Sequence, residues 1–227
     1  MSMAARVTDA TGHGTPVSPG PGSKDVIIGF LPAWRALPAA MAAGVEGISN
    51  LVSQFMLRPQ MTPADATPFI VYISKSLGEG AASAVSCGAV GAAAAAASAV
   101  ATMNAANATL TTAWGIASVV PGGQPAANIA YTEGIKAATA AAACAVMSAM
   151  AVLSDMHVCP IPVPIPPHGP GFVTKGSATV VINELAAARQ GDQVFEACGG
   201  PDPIAIGCPT VLIGDWRLLA VPVAGAA

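Results

Sequence analysis

Three histidines and one cysteine have the types and spacing of a metal site. His13 lies in Gly12-His13-Gly14, His157 and Cys159 lie in Met156-His157-Val158-Cys159-Pro160, and His168 lies in Pro167-His168-Gly169-Pro170. In an extended segment residues i and i+2 face the same side, so His157 and Cys159 can reach one ion. The proline-rich run 160–167 cannot be a central strand, because proline lacks the N–H that a ladder needs. It reads as a stiff polyproline-like arm that returns His168 to the same end. Adding His13 gives three neutral imidazoles and one thiolate, a closed tetrahedral set for Zn²⁺. Cys208 is the alternative thiolate and Cys198 a weaker one. The plain alternative is three loop histidines hydrogen-bonded near turns.

A closed set leaves no coordination position for water, so the chemistry it implies is structural and no enzyme is expected. Asp155 stands near His157, but one acidic neighbour does not make a hydrolytic zinc site. Ser2, Ser18 and Ser23 lie near His13 in sequence without an acyl-transfer pattern. Gly199-Gly200 lacks the Lys-Ser/Thr ending of a phosphate loop.

The elements that must position these residues are repeated. Gly22-Ser23-Lys24-Asp25-Val26-Ile27-Ile28 leads to Leu31-Pro32-Ala33-Trp34-Arg35. Gly176-Ser177-Ala178-Thr179-Val180-Val181-Ile182 leads, at the same spacing, to Leu185-Ala186-Ala187-Ala188-Arg189. A third copy begins as Gly207-Cys208-Pro209-Thr210-Val211-Leu212-Ile213, with Cys208 where the others have serine. Ala4-Ala5-Arg6 with Asp9 also matches Ala187-Ala188-Arg189 with Asp192. Each copy reads as a short strand bounded by Gly and a turn. Such units cannot bury a face alone and pack against their copies. Three copies predict either a pseudo-threefold body or a β-solenoid or irregular sandwich.

Between them the composition changes. Residues 36–155 are rich in Ala, Ser, Met and Gly, and residues 80–132 carry no charge. Alanine is the strongest helix former, so this stretch is predicted to be helical. One arm spans residues 36–57. Another follows Thr62-Pro63-Ala64-Asp65, with Thr62 as cap and Pro63 in the first turn. Ala81–Met103 reads as helix, and Pro121-Gly122-Gly123 as a turn before a second uncharged run, 137–154. These lengths permit membrane spans, but alanine is only weakly apolar. A soluble Ala-rich bundle and a transmembrane or membrane-inserting hairpin both stand as readings.

The 227 residues suffice for one medium domain or two small ones, with few aromatics to fill a core. The net charge of −3 is spread thinly, which argues against nucleic-acid binding. The opening residues lack the apolar core of a secretory signal, so synthesis in a reducing cytoplasm is expected. Five cysteines without framework spacing argue against a disulfide scaffold.

The motif Leu31-Pro32-Ala33-Trp34-Arg35, its partner Ala186-Ala187-Ala188-Arg189-Gln190-Gly191-Asp192, the triplicated Gly-x-x-x-Val unit and the His/Cys set together resemble the PAAR family. Ala4-Ala5-Arg6-Val7-Thr8-Asp9 followed by His13-Gly14 resembles the opening of PAAR proteins that carry a hydrophobic insert. The motif departs from its name at Trp34 and Ala186. The resemblance implies an α+β fold: a small conical β structure of three pseudo-threefold repeats, interrupted by an Ala-rich helical insert. The expected organisation is a metal-binding β cone over 1–35 and 156–216, an Ala-rich helical insert over 36–155 that is either a soluble bundle or membrane-active, and a C-terminal tail over 217–227.

The resemblance also implies a zinc near the apex, held by His13, His157, His168 and, by preference, Cys159. It implies a piercing tip that caps the trimeric valine–glycine-repeat spike of a type VI secretion or related contractile injection system. The chain would sit as a monomer on the trimer and help deliver effectors across a target membrane. A chaperone shielding the insert and a separate effector cargo are expected partners. Such a protein is made in the cytoplasm and injected. The alternative is an effector whose helical insert itself forms a pore.

Overall fold

The computed structural model describes residues 1–162 and 167–214. The expected tail, 217–227, and part of the proline arm lie outside these residues. The described elements are β1 (Ser2–Ala4), β2 (Pro19–Gly20), β3 (Ile27–Ile28), β4 (Leu31–Pro32), α1 (Ala39–Met56), α2 (Pro63–Ser86), α3 (Gly91–Ser118), α4 (Gln124–Ala149), β5 (Met156–Pro162), β6 (Pro167–Val173), β7 (Val181–Ile182), β8 (Leu185–Ala186), β9 (Gln193–Glu196), β10 (Gly200–Pro203) and β11 (Cys208–Ile213). The class is α+β, with small antiparallel sheets beside a helical region.

The repeats form three equivalent two-stranded units. Ile28 pairs with Leu31 and Ile27 with Pro32 in the first. Ile182 pairs with Leu185 and Val181 with Ala186 in the second. The third is completed from the other end of the sequence: Ile213 of β11 pairs with Ser2 of β1, and Leu212 with Met3. Ser2–Arg6 therefore supplies the second half of the copy that begins at Gly207.

The copies close on one another in a ring. The Trp34 N–H donates to the Ala5 carbonyl, the Ala5 N–H to the Ala188 carbonyl, and the Ala188 N–H to the Trp34 carbonyl, each at 2.9 Å. Bridges between Ala4 and Arg189, Arg6 and Ala33, and Arg35 and Ala187 repeat this cyclic order. Ile28, Ile182 and Ile213 are buried together with Ala4, Ala33, Ala187 and Cys208. A second layer holds Ala5, Trp34 and Ala188 with Val17, Val173, Val194 and Ile204. Of the two readings of the repeat, the pseudo-threefold body is the one formed. Trp34 occupies the place of an alanine in the other copies and lies fully within this second layer.

The helical region has its own reasons to form. Buried Met41, Val45, Ile48, Val52 and Phe55 recur along α1 at three- and four-residue spacing. Thr62 caps α2 through a reciprocal pair: its hydroxyl accepts from the Asp65 N–H, and the Asp65 carboxylate accepts from the Thr62 N–H. The predicted helix over 81–103 is broken. α2 ends at Ser86, and Gly88 takes a positive φ of 105° before α3 begins at Gly91. α1 and α2 approach closely where Gly44 faces Gly80; a Cβ on Gly44 would stand 3.2 Å from the Gly80 Cα.

α3 and α4 pack along their length as a hairpin. Trp114 donates through Nε1 to Asn128 at 2.7 Å, and the Tyr131 hydroxyl to Asn107 at 2.6 Å. The transmembrane expectation is corrected: no helix among the described residues is long and apolar enough to cross a membrane. Length suffices, but alanine, serine and threonine keep the mean hydropathy too low.

The helices and the sheet share one core. Phe172, Ala197 and Cys198 lie in the same buried cluster as α1 and α4. The Ser49 hydroxyl on α1 donates to the Glu196 carbonyl at 2.6 Å.

Candidate metal centre

The five-stranded sheet, in the order β10-β9-β6-β5-β2, runs from the second core layer to the histidines. On β9, Val194 belongs to that layer, and Glu196, two residues on, reaches the histidines. Strand alternation puts both on one buried face. On β6, Val173 lies in the layer and His168 at the far end. The register pairs Cys159 with Gly169 and His157 with Gly171.

The first prolines of the 160–167 run lie in strand rather than wholly in a polyproline-like arm. Residues 160–162 end β5, and Pro162 pairs with Pro167 across a register shift. β2 reaches only Met156 and His157, so this part of β5 has β6 as its one strand neighbour among the described residues. An edge tolerates proline because no ladder N–H is missed there. The sequence returns His168 to Cys159 as expected; residues 163–166 lie outside the described residues.

The donor atoms of His13, Cys159, His168 and Glu196 all lie within 4.8 Å of one another. Cys159 Sγ stands 3.8 Å from His13 Nδ1 and 3.7 Å from His168 Nδ1. Glu196 lies at 3.4 Å from His13 Nδ1 through Oε1 and at 2.5 Å from His168 Nδ1 through Oε2. His157 falls in a second group with Glu196 and Asp202. Its Nε2 stands 3.5 Å from Glu196 Oε1 and 3.4 Å from Thr15 Oγ1. Cys208 is elsewhere, buried in the threefold core. Cys198 packs among the helices, in the core cluster that Cys144 borders.

Glu196, Asp202 and Thr15 were not singled out in the sequence. The available signal was Glu196 itself, an acidic residue alternating with Val194 in a short apolar strand. Asp202 holds the His13 loop: its Oδ1 accepts from the His13 N–H at 3.1 Å, and its Oδ2 stands 3.1 Å from His13 Nδ1. Gly199 closes the turn over the cluster; a Cβ there would overlap Glu196 Oε2 and His168 Nδ1.

The electrostatics are those of a buried donor set. Burial pushes the Glu196 carboxyl up, but the hydrogen bond from His157 and the charges of His168 and His13 outweigh it and hold it below the usual range. Burial pushes the Cys159 thiol up to about 11, with the Glu196 charge adding to the rise. Two nitrogens, a sulfur and a carboxylate oxygen suit a borderline divalent ion. Among the described residues the buried Nδ1 of His157 has no hydrogen-bond partner. The arrangement can hold a metal ion.

A family model described as the PAAR motif matches residues 134–201 and, in an overlapping second span, 165–219. Comparison with curated proteins and with solved structures gives no match. The matched span covers the β7–β8 unit, the β11 half of the unit that β1 completes, and the strands that carry Cys159, His168 and Glu196. With the triplicated hairpins and their closed ring, this match over residues 134–219 supports a PAAR-repeat protein and, in general terms, the spike-tip role of type VI-like secretion machines.

Proposed function

We propose that the chain is the piercing tip that caps the trimeric valine–glycine-repeat spike of a type VI secretion or related contractile injection system. The carrying observation is the ring of three hydrogen bonds through Ala5, Trp34 and Ala188. One chain with threefold surroundings can sit coaxially on a true trimer without breaking its symmetry. Ile27, Val181 and Leu212 occupy equivalent positions in the three copies and are 58 %, 63 % and 54 % exposed. Equivalent apolar residues around one axis suit a trimeric face. At the other end of the sheet a zinc ion, with ligands drawn from the His13, His157, Cys159 and His168 set, locks loops that have little core of their own. Sheath contraction then drives a rigid point, and the work is mechanical.

In this reading residues 36–155 are an insert carried on a metal-locked β body, residues 1–35 and 156–216. The uncharged exposed face of α3 is covered by a chaperone before firing, and separate effector cargo travels with it. The protein is made in the cytoplasm and leaves it by injection. One observation favours a membrane-disrupting insert instead: Ile116, Val119 and Val120 are exposed at the end of the α3–α4 hairpin. Leakage of liposomes caused by the full chain would support that alternative.

The test is co-purification with the spike trimer of the same system. Changing Ile27, Val181 and Leu212 together to glutamate should abolish it. Surface changes of this kind cost within about 0.5 kcal/mol each, so the chain stays folded. Wild-type binding by the triple variant overturns the proposal.

A further inference from the structure

We infer that Glu196 is the fourth ligand of the bound ion and that His157 is a positioning residue, acting through Glu196. This rests on the metal reading above and changes its ligand set.

The geometry separates the two residues. Glu196 belongs with His13, Cys159 and His168 in the group whose donor atoms lie within 4.8 Å of one another, whereas His157 groups with Glu196 and Asp202. Donors on one tetrahedral zinc, at bond lengths of about 2.0–2.3 Å, stand roughly 3.3–3.6 Å apart. The His13 to Glu196 separation of 3.4 Å falls in that range, and the Cys159 separations of 3.7 and 3.8 Å stand just above it. Glu196 and His168, at 2.5 Å, are hydrogen-bonded to each other, a contact that a shared ion would open.

The chemistry agrees. A fully buried carboxylate carries a heavy desolvation penalty unless a cation compensates it. With Cys159 as thiolate, Glu196 as carboxylate and two neutral imidazoles, a divalent ion leaves the site neutral. The surroundings fix Glu196 as they would a ligand. Ser49 on α1 holds its carbonyl, and the absent side chain of Gly199 leaves room for its carboxylate. His157 Nε2, 3.5 Å from Oε1, supplies the orienting contact that metal-bound carboxylates receive from their neighbours.

The experiment measures zinc stoichiometry and affinity, by chelator competition, on the full chain and on Glu196→Gln and His157→Gln. The wild-type chain should hold one zinc. Glu196→Gln should weaken binding by more than about 100-fold, and His157→Gln by about 10–100-fold, the range for residues that orient a ligand. A wild-type chain without stoichiometric metal overturns both the metal reading and this inference. A zinc-bound wild type with Glu196→Gln within tenfold of it, or with His157→Gln the weaker binder, overturns this inference alone. If Glu196→Gln does not fold, anomalous diffraction from zinc-loaded wild-type crystals decides. A Glu196 oxygen about 2.0–2.2 Å from the ion is expected. A His157 nitrogen at that distance, with Glu196 outside it, overturns the assignment.

Discussion

Arg35 closes on Asp155 across 120 residues in the way that Arg6 closes on Asp9 across three. In the first pair the Arg35 N–H and Nε donate to Asp155 Oδ2 at 2.8 and 3.0 Å, and Nη2 donates to Oδ1 at 2.7 Å. In the second the corresponding distances are 2.7, 3.2 and 2.8 Å. Arg189 and Asp192 make the third set, at 2.8, 3.2 and 3.1 Å. The ring therefore has three Arg–Asp clamps, and the helical region lies between the two halves of one of them. The clamp brings both ends of that region to a single point, so the β body continues as though uninterrupted.

Asp155→Ala should cost about 3–5 kcal/mol, because it takes the buried carboxylate away from the mostly buried Arg35 guanidinium beside the second core layer. Urea denaturation of the full chain measures it. Arg35→Lys should lose less, since the charge remains and only the forked hydrogen bonding is lost. Equal stability of Asp155→Ala and wild type would mean that the clamp is not structural.

The clamp also marks how far the sequence could be read. The Gly-to-Arg spacing exposed the repeat, because strand periodicity and the Ala-Ala-Arg signature are local. His13, Cys159 and His168 were legible for a similar reason: few residue types bind soft metals, and these stood beside turns. The partner of Arg35 was not legible, since its spacing of three had become 120. That Ser2–Arg6 completes the third copy was hidden too, because its two halves stand at opposite ends of the described chain. Glu196 gave little local sign: one carboxylate in a strand reads as surface until its neighbours on other strands are known. The break at Gly88 was missed because an Ala-rich run favours helix on both sides of it.

Removing the metal should loosen the histidine end first. Structural zinc supplies about 10–16 kcal/mol of apparent binding free energy in small sites, much of it as folding energy. Chelation should abolish amide hydrogen-exchange protection around His13, Gly169 and Gly199 while α3 and α4 stay protected by their own packing. Cys159→Ser should reproduce the pattern without chelator. Uniform protection in both samples would show that the loops hold without an ion.

The cap of α2 predicts a pH dependence. The Thr62 hydroxyl and then the Thr62 N–H hold the Asp65 carboxyl below its ordinary value of 3.8. A depressed folded-state value stabilises the fold above the unfolded value, and that gain is lost as pH falls through the folded one. The wild-type advantage over Thr62→Ala should thus be full at neutral pH and shrink below about pH 4. Thermal melts of both chains at pH 7 and pH 3 test this; a constant difference would remove the carboxylate from the cap.

Excising residues 37–153 should leave a β body that still binds metal. The cut joins Arg35-Ala36 to Ser154-Asp155 and restores the three-residue spacing of Arg6–Asp9 and Arg189–Asp192. Ser154 already meets this junction: its hydroxyl donates to the Ala36 carbonyl at 2.9 Å. The ring hydrogen bonds, the threefold isoleucine layer and the four donors of the metal group all lie outside the excised stretch. The loss falls on the interface. Phe172 and Cys198 are buried in the helical core, and the Glu196 carbonyl loses the Ser49 hydroxyl. Uncovering one aromatic side chain of this kind costs about 1.5–3 kcal/mol. The shortened chain should therefore melt lower than wild type and self-associate through the exposed Phe172 face, yet retain one zinc per chain by metal analysis. A chain that unfolds even with zinc present would show that the helices hold the β body together rather than ride on it.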